Sequence, residues 1–409
     1  MNRSQYGRLT LVFFITSVFV SGISLASSFL VNFYLKTDEF VEYSQYQNLS
    51  IVLVNLIGFG MPSVLITFKR NIDLTVFSNL LSIVLIGLLP FVAIVSGLLL
   101  YLIFANELVI IYSIVFYSLS QSYLTIVLSL DQIERNFKNF FFVSIANSLA
   151  LLFSLCGLIY FDFELSTFYY TQGTFAFLIF FIRYTKYFKS VPVIGNLSKQ
   201  MNIKDFIWKG FFAAMQTFLF SLLLSFDKIF LPKIFPSYNI DYFYQAYLVL
   251  LLPMFFINVF ANTWGIKAIE EIENINVMSF INEKIKYWKY TIIVVIINLL
   301  LAFLFTLHFN IKDYEMYLGY FMVVVFSSIG LVFIIYNKLI FGLLTGLKRF
   351  DLIVISNTAT LVFYSLCALL FLLFSLPIRM YPLVFMVVFA FQFIFLYVLV
   401  GKSVNNNGK

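Results

Sequence analysis

Two lysines stand where a lysine is costly. Lys228 lies in the run Ser225-Phe226-Asp227-Lys228-Ile229-Phe230-Leu231, and Lys338 lies ten residues before Lys348 in an otherwise apolar stretch. Ten helical residues rise about 15 Å, so an ammonium at Lys338 should face protein, water or an anion rather than hydrocarbon. The chemistry on offer is electrostatic: a cation at depth can hold an anionic group such as a phosphate. A long side chain near a helix end can equally snorkel to the interface. Asp227 adjoins Lys228 without sharing its helical face, so the spacing does not require the two to pair. Lys228 closes a stripe of small and polar residues, Gly210, Ala214, Thr217, Ser221 and Ser225, at helical spacing. A second stripe holds Thr10, Ser17, Ser21, Ser24, Ser28 and Asn32. At an offset of 200, Ser17, Ser21 and Ser28 coincide with Thr217, Ser221 and Lys228. Such stripes either let helices approach closely or line a wet cavity, and both uses take the same residues. Asn48 with Asn55, and Asn258 with Asn262, add polar faces. The candidate substrate contacts are therefore Lys228, Lys338, Asp227, Ser21, Ser28, Asn55, Ser221 and Asn258.

Other chemistries find no support. Gly401-Lys402-Ser403 looks like the end of a phosphate loop, but Leu396 stands where the first glycine belongs. His308, the single histidine, falls at a helix end and reads as solvated. Cys156 and Cys367 lack metal-ligand spacing and read as buried thiols. Neither a carboxylate pair nor a nucleophile constellation emerges, so the expectation is a protein without catalytic residues, metal or cofactor, and no enzyme.

These residues need elements to carry them, and composition names the kind. Of 409 residues, 62% are hydrophobic and 11% charged, against about 45–50% and about 25% in soluble domains. The solvent is a bilayer, which excludes nucleic-acid binding and leaves the net charge of +7 to be read as topology. Twelve apolar runs are long enough to span: 9–34, 43–68, 76–104, 108–130, 140–161, 165–182, 206–231, 241–263, 290–309, 316–344, 352–376 and 381–400. The first exceeds a signal peptide's apolar core, so it is read as a membrane helix. With the N-terminus in the cytoplasm, 21 of the 26 basic residues fall on that side, which predicts both termini inside. External connections are short. Inside, 264–289 reads as an interfacial amphipathic helix carrying Met278, Ile281, Ile285 and Trp288 on one face.

The second half echoes the first. Tyr43-Ser44-Gln45-Tyr46 is matched by Tyr244-Gln245-Ala246-Tyr247, and Ser154-Leu155-Cys156 by Ser365-Leu366-Cys367, at offsets of 201 and 211. Six crossings per half point both halves the same way, which predicts a pseudo-two-fold along the membrane normal. The boundary falls near Val191–Gln200, giving lobes 1–199 and 200–409 in an all-α polytopic membrane protein.

Several local motifs carry a family resemblance. They are Tyr43-x-x-Tyr46, Gly58-Phe59-Gly60-Met61-Pro62 with Lys69-Arg70, the Ser225–Leu231 run, Tyr244-x-x-Tyr247, and Asn337-Lys338 with Gly342, Gly346 and Arg349. On these the chain resembles the bacterial O-antigen and capsule repeat-unit flippases of the multidrug/oligosaccharidyl-lipid/polysaccharide (MOP) exporter superfamily. Members commonly carry Asp-Arg where Asp227-Lys228 stands, so a bidentate contact is lost here. The resemblance implies two six-helix lobes in the bacterial inner membrane. These would move an undecaprenyl-pyrophosphate-linked oligosaccharide between leaflets by alternating access, alongside a polysaccharide polymerase machinery. Coupling to a proton or sodium gradient is left open. A drug/cation antiporter on the same fold is the main rival; it would want acids in the cavity, and spans one to six hold none in their interiors. A lipid II flippase and a non-transporting membrane assembly protein are further alternatives.

Overall fold

The computed structural model describes residues 3–62, 84–103, 107–133, 136–188, 203–234, 242–250, 288–309, 314–347 and 349–406. The described residues are helical apart from short turns, and each of the twelve apolar runs contributes a helix. These are α1 (Arg3–Tyr34), α2 (Thr37–Ile57), α3 (Leu89–Ile103), α4 (Leu108–Ile133), α5 (Phe137–Tyr160) and α6 (Leu165–Phe188), followed by α7 (Ile203–Ile234). Then come α8 (242–250), α9 (Trp288–Phe309), α10 (Tyr314–Gly346), α11 (Phe350–Leu373) and α12 (Tyr381–Asn406). Eight of the described helices are long and apolar enough to cross a membrane. Backbone groups in hydrocarbon have no water to turn to, so a helix that satisfies them internally is the available solution.

Local chemistry sets the ends. At the start of α2, Asp38 and Glu39 occupy the first turn, where the helix dipole favours acids. The Lys36 N–H donates to the Glu39 carboxylate at 3.3 Å. At its other end α2 stops at Gly58, and the chain turns through Phe59 and Gly60, both left-handed at φ 49° and 59°. Gly60 must be glycine twice over: its φ is one that side chains resist, and a Cβ there would lie 2.4 Å from the backbone of Ala213 and Ala214.

Contacts divide the chain into two compact units, Met1–Leu231 and Pro232–Lys409. The repeat boundary expected near 199/200 lies outside the described residues; by contact, α7 keeps company with α1–α6 almost to its end. In the first unit α4 packs along α6, α1 along α5 and α2 along α4. The α4–α6 seam is apolar: Leu124 and Ala176 join Val143, and the Tyr123 and Phe180 rings stack at 4.7 Å. In the second unit α12 packs on α10 and α11, with Phe363 stacked on Phe391 at 4.3 Å. The tyrosines of the repeated motif have the same fate in both units: Tyr43, Tyr46, Tyr244 and Tyr247 are all buried. The proposed interfacial helix at 264–289 lies outside the described residues except for Trp288 and Lys289, which begin α9.

One expectation changes. The cysteines are not buried: Cys156 is exposed and Cys367 half-exposed. In a membrane chain the outside is apolar too, so a thiol fits lipid as well as core. Ile86, Phe91, Ile94, Leu98 and Leu102 show the same logic, forming an exposed apolar face around α3. Among the described residues the first six runs hold no acid in their interiors, and one acid lies just past the fourth. Asp131, at the end of α4, is fully buried, with Arg183 of α6 donating to its carboxylate at 2.7 Å.

Candidate functional site

The turn that carries Lys228 is held from several directions. Its ammonium donates to the Leu224 carbonyl one turn back at 2.6 Å and lies 3.8 Å from the Asp227 carboxylate. The same carboxylate accepts the Lys228 backbone N–H at 2.9 Å, and Asp227 is buried. Adjacent residues thus do pair here, because the carboxylate folds back along the helix toward the flexible lysine stem. Pro232 follows in the last turn of α7 and has no N–H to offer the Lys228 carbonyl. From α2, the Gln45 side-chain amide donates to the Ile229 carbonyl at 2.9 Å.

The stripe of α7 faces α2. Asn55 donates to the Ser221 hydroxyl at 2.7 Å, while the same amide nitrogen donates to Ile51 in its own helix at 3.0 Å. One end of the stripe meets the turn after α2: Gly210 packs against Phe59 and Met61, and Ala213 and Ala214 against Gly60. Two predicted contacts, Asn55 and Ser221, are therefore brought together and bonded to each other. Ser28 is half-buried and its hydroxyl donates to the Ser24 carbonyl at 3.0 Å. Ser21 lies within α1, its side chain outside the described set; Asn258 lies outside the described residues altogether.

Lys338 is half-buried on α10, in the other unit. Its neighbour Asn337 begins a line of amides that spacing did not reveal. Asn337 donates to Gln392 of α12 at 2.8 Å, and Gln392 donates to Asn357 of α11 at 2.8 Å. All three are fully buried. The signal in the sequence was one amide in each of three apolar runs, with nothing to say that they meet.

A second feature that sequence reasoning missed is a hollow of about 620 Å³ in the first unit, lined by Glu39, Glu42, Tyr46, Glu107, Asp162 and Glu164. The Tyr46 hydroxyl donates to the Glu107 carboxylate. The Glu42 carboxyl, ahead of the apolar run, is pushed above the usual carboxylate range by partial burial first, then by Glu107 and Glu39. Among the described residues no three His, Cys, Asp or Glu side chains gather as a metal site. What the arrangement offers is charge and hydrogen bonding within a bundle of apolar helices.

Three-dimensional likeness extends along nearly the whole chain. A MOP superfamily transporter from Pyrococcus furiosus matches at a TM-score of 0.73 and 13% identity, covering 98% of this chain and 96% of that one. A multidrug resistance MATE family transporter of the MOP superfamily in an outward-facing conformation gives 0.73 and 12%, covering 98% and 95%. A Vibrio cholerae MATE transporter gives 0.66 and 14%, covering 98% and 97%. No protein-family model matches the sequence, and no curated protein matches it. The chain has the all-helical fold of these transporters.

Proposed function

We propose that the protein is a transporter of the bacterial inner membrane that moves an anionic, lipid-linked oligosaccharide between leaflets. The fold supports transport. The observation that carries the choice of cargo is the state of the buried carboxylates. Among the described residues these are Asp131 and Asp227, and each stands against a cation, at 2.7 and 3.8 Å. An acid already answered by a cation is poorly placed to draw in a cationic drug. Lys338 adds a further positive charge within an apolar helix. A diphosphate leaving water needs charged partners to offset its desolvation, and lysines at depth provide them. The polyprenyl tail can stay in lipid throughout, so the protein need shelter only the polar headgroup.

The test is genetic and chemical together. Loss of the gene should abolish the surface polysaccharide and leave lipid-linked units stranded on the cytoplasmic leaflet; restoring the wild-type chain should reverse both. A second reading, a drug/cation antiporter, draws support from the multidrug transporters among the structural matches. It predicts the opposite phenotype: intact polysaccharide with lost efflux of a cationic dye. Intact polysaccharide would remove the first reading, and unaltered dye efflux the second.

A further inference from the structure

Among the described residues, the most extensive helix pairing in each unit is the same one by repeat: α4 with α6 in the first, α10 with α12 in the second. A ring pair fixes how they correspond. Tyr123 of α4 stacks on Phe180 of α6 with centroids 4.7 Å apart, and Tyr336 of α10 lies 5.7 Å from Phe393 of α12. Both members are displaced by 213 residues, so the two seams share one register. About two helical turns before that pair, the likeness breaks. In the first seam Phe116 of α4 packs on Gly173 of α6; a Cβ on Gly173 would lie 2.8 Å from the ring and 3.0 Å from the Tyr117 Cα. In the second seam the glycine is Gly330 of α10 and the ring belongs to Phe385 of α12, 2.9 Å from where a Cβ would stand. Ring and glycine have changed helices.

The exchange matters because the chain contains two near-copies of one seam. Helices in lipid associate by shape and packing, since hydrocarbon offers them no hydrophobic gain on meeting. The Tyr–Phe pair cannot tell the halves apart: Tyr123 could meet Phe393, and Tyr336 could meet Phe180, in the same register. The ring and the glycine can. Pairing α4 with α12 would set Phe116 against Phe385, two rings where there is room for one. Pairing α10 with α6 would set Gly330 against Gly173 and leave a void. Each wrong seam is penalised where the right one fits, which is how close relatives are told apart. Misassembly between repeats is a characteristic failure of duplicated chains. We infer that the opposite sense of the Phe116–Gly173 and Gly330–Phe385 contacts makes each half reject the other's helices during assembly, within one chain and between copies. This goes beyond the transport reading and does not depend on the cargo.

The experiment reverses the sense in the full chain. Phe116→Gly with Gly173→Phe gives the first seam the sense of the second, which the second shows to be workable on this helix pair. Gly330→Phe with Phe385→Gly does the converse, and a four-position variant reverses both. The measurements are the fraction of newly made protein recovered as a single protease-resistant species in detergent, and the melting temperature of that species. Gly173→Phe or Phe116→Gly alone should melt several degrees lower, and the paired exchange should recover most of that loss. Each one-seam exchange gives both halves the same sense, so the recovered fraction should fall several-fold, the remainder being oligomeric or degraded. The four-position variant makes the senses opposite again and should return the fraction toward wild type. Wild-type recovery from both one-seam exchanges overturns the inference. So does a four-position variant worse than either, because poor local fit accumulates whereas mispairing cancels.

Discussion

The first and seventh spans carry the same kind of stripe and put it to different use. On α7, Gly210, Ala213, Ala214 and Ser221 lie against α2, with Ser221 accepting from Asn55 at 2.7 Å. On α1, Ser27 and Ser28 donate to the Ile23 and Ser24 carbonyls of their own helix at 2.8 and 3.0 Å. Ser24 stays exposed, and Ser28 and Asn32 half-buried. The residue types match at an offset of 200, so pattern alone cannot account for the difference. A small, polar stripe permits close approach; whether anything approaches depends on the surface opposite. For α7 that surface is a helix end whose turn, at Gly60, has no side chain to hold the two backbones apart.

The sharpest way to test the contrast is at its one charged member. Lys228 coincides with Ser28 across the repeat. If α7 carries the anion contact, Lys228→Gln should weaken cargo binding roughly 10- to 150-fold, the equivalent of about 1.5–3 kcal/mol for a charged hydrogen bond. Lys338→Gln should act similarly, Arg at either position should preserve much of the activity, and Ser28→Ala should leave export unchanged. Surface polysaccharide at matched protein levels is the measurement. Equal silence at Lys228 and Ser28 would erase the distinction and favour snorkelling.

A smaller effect sharpens the comparison further. Asn55→Ala or Ser221→Ala should each lower thermal stability in detergent by about 0.5–1.5 kcal/mol, and the pair should be less than additive because they share one bond. The pair Ser24→Ala and Asn55→Ala should add independently, since Ser24 and Asn55 share no bond. Additivity at Asn55 and Ser221 would mean that their bond contributes nothing.

The smallest effect lies at the start of α2, in the acidic hollow. The Glu42 carboxyl is raised above its ordinary range by burial, Glu107 and Glu39. A raised carboxyl binds its proton more tightly folded than unfolded. Its contribution is therefore complete below the ordinary carboxylate pKa and is lost as pH climbs through the raised value. Melting temperature should fall slightly across that window in the wild type and stay flatter in Glu42→Gln. An unchanged slope would mean that the hollow does not hold the proton.

How much of this was legible beforehand differs residue by residue. Hydropathy found the twelve runs because a bilayer demands long apolar helices, and each run now carries a helix. It misassigned Cys156 because apolar residues serve both core and lipid face, and period alone does not say which is which. Asp131 escaped notice because it falls one residue past the fourth run and looked like a loop residue; its partner, Arg183, is 52 residues away. Asn55 and Ser221 were both singled out as polar side chains at depth. Their bond to each other was invisible, since 166 residues separate them and no local rule spans that distance.

The amide line of the second unit has a mechanical meaning. Asn337, Gln392 and Asn357 sit on α10, α12 and α11, and each bond of 2.8 Å crosses from one helix to the next. In hydrocarbon no solvent competes for those bonds, and Gln392 donates and accepts at once. Turning that one amide over forces its neighbours to turn as well. Three helices riveted this way behave as a stiff plate: a push on one is felt by all, with little lost to bending. Lys338, one residue from the first rivet, is thus mounted on the plate, and its charge travels only when the plate does.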